Sequence, residues 1–168
     1  MTHVEKLENM GACREAVEWA REFRSMMEAW RACERGDWML WYIGRLSGKP
    51  ESASRRRLVL CSCKCARLGL PYVPQGEKRP LVAIQTAERW AHGEGGVSLE
   101  DVRAAADAAA YAASAASAAA YAAYAAASAA YAAANAAAYA AYAAARLRVL
   151  SECADLVREA YPTPPRMR

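Results

Sequence analysis

The chain has only two histidines among its 168 residues, His3 and His92. Neither stands beside a serine or cysteine in a nucleophilic motif, so triad chemistry has no candidate base. His92 precedes Gly93 and reads as the cationic end of a helix. A P-loop and a G-x-G-x-x-G run are both missing, which removes the common phosphate-cradling loops. No spaced carboxylate pair stands out from the surface charges. The chain is therefore expected to be no enzyme, with no cofactor and no metal. No run of 18 strongly apolar residues occurs, which argues against a membrane span. The first ten residues, MTHVEKLENM, carry no apolar stretch after a basic one, so a secretory leader is not expected and a cytoplasmic location is.

Period-two alternation with β-branched residues is also missing, and what remains is helical punctuation. Residues 13–23 read as a short helix with Cys13, Val17 and Ala20 on one face. Ser25 and Glu28 form a capping-box pair before a helix carrying Met26, Trp30 and Cys33. Gly36 suits a left-handed C-terminal position, and Asp37 can cap the next helix. That helix, Trp38 to Ile43, is apolar nearly all round and should lie buried. Leu58, Cys61, Cys65 and Leu68 then fall at helical spacing until Pro71 and Pro74. Pro80 can open the following helix and Gly93 can end it. The fold class is all-α: a compact bundle of about five helices over 1–97, a long alanine-rich helical segment over 98–161 and a proline-rich tail, 162–168.

Ser98 and Asp101 form a second capping box. After it, residues 104–145 contain 31 alanines among 42 positions. The eleven interruptions are spaced by three or four and average 3.5, the period of a left-handed coiled coil. They include Tyr111, Tyr121, Tyr124, Tyr131, Tyr139 and Tyr142, and this tyrosine stripe is expected to face protein. One helix over 99 to about 160 would run roughly 90 Å at ~1.5 Å per residue. A compact chain of this length has a radius of gyration of roughly 15 Å. The segment should therefore pair in a homo-oligomer or fold into a hairpin, and both remain open.

Six cysteines without a leader imply free thiols in a reducing compartment. Cys61, Cys63 and Cys65 cannot converge on one tetrahedral metal from a continuous helix, so these and Cys13, Cys33 and Cys153 read as small core residues. Charge is uneven. Residues 1–44 hold six Lys/Arg against eight Asp/Glu, whereas 45–79 hold nine against two. Arg55, Arg56 and Arg57 lie near a helix start, where the dipole disfavours cations, and with Arg45 they could hold an anion. Trp38 and Trp41 could then stack on a base. No helix-turn-helix is evident and the isoelectric point is only about 8.8, so nucleic acid is not an expected partner.

Several stretches carry a resemblance: Cys13-Arg14-Glu15-Ala16, then Ala29-Trp30-Arg31-Ala32-Cys33-Glu34-Arg35-Gly36-Asp37-Trp38-Met39-Leu40-Trp41, then Arg56-Arg57-Leu58-Val59-Leu60. Tyr72-Val73-Pro74, Ile84 with Ala87-Glu88 and Trp90, the Ala/Tyr repeat and Cys153-Ala154-Asp155-Leu156-Val157-Arg158 extend it. Together they resemble the immunity-protein family of bacteria and prophages (the immunity-five-like class). The resemblance implies a protein that neutralises a toxin or defence component by binding it. Sequestration of a small anionic, nucleotide-like signal is the alternative that the cations and tryptophans suggest. A purely structural role for the long helix, as oligomer, filament or spacer, is the third.

Overall fold

The structure is a computed structural model; it describes residues 1–49, 51–110 and 131–166, and over 131–142 the backbone alone. Among the described residues the protein is all-helical, without a strand. The helices are α1 (His3–Asn9), α2 (Arg14–Ala20), α3 (Met26–Ala32), α4 (Gly36–Leu46), α5 (Ala53–Arg67), α6 (Arg79–His92), α7 (residues 99–110) and α8 (Tyr131–Ala160). A short 3₁₀ turn, Leu70–Tyr72, follows α5, with Pro71 in its first turn. No described helix is long and apolar enough to cross a membrane. Tyr111, Tyr121 and Tyr124 lie outside the described residues, as do the side chains of Tyr131, Tyr139 and Tyr142, so the stripe and the choice between long helix and hairpin rest on the sequence.

Side-chain caps place several boundaries. Thr2 and Glu5 form a full capping box on α1: the Glu5 amide donates to Thr2 Oγ1 and the Thr2 amide to Glu5 Oε2. Ser98 and Asp101 do the same at α7. At α3 the reciprocity is offset. The Glu28 amide donates to Ser25 Oγ, but the Glu28 carboxylate accepts from the amide of Arg24, not from Ser25. Pro80 stands in the first turn of α6, and Gly93 ends it in the left-handed region at φ 75°.

Contacts divide the chain into two compact units. The first joins residues 1–62 to 150–168, and the second spans 63–149. This division cuts across the segments 1–97, 98–161 and 162–168 read from local pattern, because it depends on a return of the chain that local pattern does not encode. In the first unit the core includes Val17, Ala20, Trp30, Met39, Tyr42, Ile43, Leu58 and, from α8, Cys153, Ala154 and Val157. Val157 is fully buried, which stabilises by about 1.5–3 kcal/mol relative to exposure. The tail is tied down by two aromatic donors. Trp30 Nε1 donates to the Tyr161 carbonyl at 3.0 Å, and the Tyr42 hydroxyl to the Pro165 carbonyl at 3.1 Å.

Two local expectations are corrected here. Gly36 is not a left-handed C-terminal residue; it is the buried first residue of α4. A Cβ on it would lie 2.5 Å from Cys153 Sγ and 2.7 Å from the Ala154 amide nitrogen, so glycine permits the close approach of α8. Asp37 is not the N-cap of α4. Arg35 holds that position without a side-chain cap, and Asp37 sits inside the first turn.

In the second unit, Cys63, Cys65, Ile84, Trp90 and Ala91 are buried. Leu99, Val102, Ala105 and Ala109 of α7 are half-buried at spacings of three and four, the amphipathic period. Three ion pairs decorate the surface: Arg67–Glu88, Arg79–Glu77 and Arg89–Glu94.

Candidate functional site

The cysteines split by position rather than by chemistry. All six are free thiols, and no described group of three or more His, Cys, Asp or Glu side chains could hold a metal. Cys61 and Cys63 each turn a thiol to a helix carbonyl, Leu156 in the first unit and Ile84 in the second. Burial pushes the Cys63 thiol up to about 11. Cys13 departs from the expected core role. It is the N-cap of α2, and it is exposed.

The basic stretch is largely occupied within the first unit. Helices end with carbonyls that lack an intrahelical partner, and cations satisfy them best. The Arg55 guanidinium donates to the carbonyls of Gly44, Ser47 and Gly48 at the end of α4. Arg57 donates to the Ala160 carbonyl at the end of α8 and lies 4.6 Å from the Tyr161 ring centroid. Arg158 does the same for α3, through the carbonyls of Trp30 and Cys33. Ser52 takes the Arg55 amide as the α5 cap, which lets Arg55, Arg56 and Arg57 follow directly in the first turns. Arg56 is half-buried and Arg45 is exposed near the end of α4. The four arginines therefore do not gather at one anion site.

Asp37, Trp38 and Trp41 do come together. They line an open hollow of about 440 Å³ between the start of α2 and the face of α4, with Cys13, Glu15 and Arg35. Its position follows from the chain: a positive-φ glycine, Gly11, turns α1 into α2 and sets Cys13 and Glu15 at the rim. The Arg35 guanidinium forms a two-point bond to the Asp37 carboxylate, at 2.9 and 2.8 Å, and stacks 4.3 Å from the Trp38 ring centroid. Burial disfavours the Asp37 carboxylate, but the Arg35 pair outweighs it and holds the acid below its usual range. Glu15 approaches Arg35 only to 4.0 Å and keeps 77% of its side chain exposed. Trp19 backs the floor, 5.8 Å from Trp38 between ring centroids.

Beneath the hollow lies a smaller apolar cavity of about 50 Å³. Ala12, Ala16, Trp38 and Trp41 wall both spaces, so the two indoles stand between a hollow with charged groups and an apolar one. Sequence reading found the Asp37, Trp38 and Trp41 wall and missed Cys13, Glu15 and Arg35. Their signal was weak, since Cys13 and Glu15 reach the site only through the turn at Gly11. The arrangement offers no nucleophile–base pair. What it offers is a half-buried aromatic wall and a fixed ion pair. No protein-family model matches the chain, and neither a curated protein nor a solved structure is significantly similar to it.

Proposed function

We propose that this chain is a non-enzymatic helical interaction protein of the bacterial cytoplasm that neutralises a toxin or defence component by binding it, and that the partner docks at the Trp38–Trp41 hollow. The hollow itself carries the reading. Binding energy at protein interfaces concentrates in Trp, Tyr and Arg side chains set in pockets ringed by polar groups. Here two half-buried indoles, an immobilised arginine and an ion-paired rim occupy one surface depression. The resemblance to immunity proteins agrees with it, and the most specific stretch of that resemblance, Cys33 to Trp38, supplies part of the wall. Sequestration of an anionic nucleotide-like molecule is less well supported. Arg55 and Arg57 already hold helix carbonyls, and the tryptophans sit beside carboxylates, which repel phosphate.

The test is a photo-crosslinking residue at Ala16, which lines the hollow, with a control at Gln85 on α6. The Ala16 position is expected to trap one partner protein that the control does not. Expressed alone that partner should be toxic or inhibitory, relieved by the native chain and not by a folded Trp38→Ala variant. No specific adduct, or a nucleotide-like mass retained by the purified protein in a native mass spectrum, would overturn the reading.

A further inference from the structure

We infer that the hollow selects a basic side chain of its protein partner, an arginine or lysine. The aliphatic stem would lie against Ala12, Ala16 and Trp41, and the charged head at the exposed Glu15 carboxylate. The inference rests on the preceding reading that a protein docks here, and adds the chemistry of what it presents.

Charge is the first support. The rim carries two carboxylates, Glu15 and Asp37, and one guanidinium, Arg35. Asp37 takes the two-point bond from Arg35 and the mostly exposed Glu15 meets the same guanidinium only at 4.0 Å, so two carboxylates share one cation and the rim keeps one excess negative charge. A single cation restores balance; a phosphate or carboxylate would add to the excess. The surroundings agree, because residues 1–44 hold more acidic than basic side chains.

Shape is the second support. Lysine and arginine have an apolar stem and a polar tip, and they bury the stem while keeping the head wet. The lining of the hollow has the same two characters, with half-buried alanines and indoles beside the exposed carboxylates of Glu15 and Asp37. The third support is internal. Arg35 already lies over the Trp38 ring and is forked onto Asp37. The same wall thus holds one guanidinium by cation–π contact and bidentate pairing, and Trp41 is a second half-buried indole lining the hollow. An uncharged apolar anchor would leave the excess negative charge of the rim unbalanced.

The probe is acetyl-Ala-Arg-Ala-amide, with its citrulline counterpart as an uncharged isostere. The readout is the pair of indole N–H resonances of Trp38 and Trp41, assigned through Trp→Phe variants. The arginine peptide is expected to move both signals saturably, with weaker binding at higher salt. Citrulline, or the arginine peptide on Glu15→Gln, should bind at least about tenfold more weakly, the loss of one charge-assisted contact. Because Glu15 is mostly exposed, Glu15→Gln keeps the fold, and its unchanged far-UV spectrum shows this. Equal binding of both peptides, indifference to Glu15→Gln, or no saturable shift overturns the inference. The crosslink separates the two levels. An Ala16 adduct on a partner segment without Arg or Lys sinks the basic side chain while leaving protein docking intact.

Discussion

The two compact units are both helical but are held together by different means. In the first, side chains close gaps between elements far apart in sequence. Trp30, Tyr42 and Arg158 each reach a backbone group more than 120 residues away. In the second, the described polar contacts are mostly exposed ion pairs on or beside α6, and the buried residues among those described are Cys63, Cys65, Ile84, Trp90 and Ala91. Carbonyl-capping arginines satisfy helix-end groups that are in part shielded from water, whereas exposed pairs only exchange one hydrated state for another. Identical residue types therefore carry different weight in the two units.

Substitutions can sharpen that contrast. The largest effect is expected at Gly36. Gly36→Val drives side-chain atoms into Cys153 and the Ala154 backbone, which cannot rotate away. Overpacking of this kind costs about 1–3 kcal/mol or more, seen as a cooperative drop in thermal midpoint. Arg158→Met comes next: it strands the Trp30 and Cys33 carbonyls and should cost about 1–3 kcal/mol. Arg67→Met in the second unit breaks an exposed pair with Glu88, and its melting curve should overlay the native one. A large loss at Arg67 with none at Arg158 would reverse the comparison.

Two tyrosines provide a finer pair. Tyr42→Phe removes the bond to Pro165 and should cost about 1 kcal/mol. The Tyr161 hydroxyl is buried without a partner among the described residues, so Tyr161→Phe should be neutral or slightly stabilising. Alkaline titration bears on both units. Burial pushes Tyr42 up to about 12 and Cys63 up to about 11, against ordinary values near 10 and 9, and raises the Cys33 thiol as well. A raised folded value means stability that is whole below the unfolded pKa and lost as pH climbs through the folded one. Both units should thus weaken from about pH 9, through Cys33 in the first and Cys63 in the second, and Tyr42 extends the loss in the first to about pH 12. Melting curves across this range would show it, and Tyr42→Phe should flatten the last part.

Local chemistry made much of the helical content readable. Ser98 with Asp101, Pro80 and Gly93 each marked an end that the structure keeps, because each acts within one turn. What stayed hidden depends on a distant partner. Gly36 looked like a helix stop because nothing near it reveals Cys153 pressed against it. Arg55 and Arg57 looked like an anion site because the carbonyls they serve belong to the ends of other helices. The site was half legible for the same reason. Trp38 and Trp41 share a helix with Asp37, while Glu15 and Cys13 arrive from another.

The discontinuity of the first unit bears on synthesis. The partners Trp30 and Tyr161 are separated by 131 residues, and Val157 is the largest fully buried side chain among the described residues. A ribosome adding about 5–20 residues per second needs roughly 4–18 s to pass from residue 62 to residue 150. Throughout that interval the nascent amino-terminal helices lack the strand of chain that covers them. Their tryptophans stand open to chaperones, to aggregation, or to a partner that reaches them first. Emergence of the segment around Cys153, Ala154 and Val157 is therefore the event that closes this core.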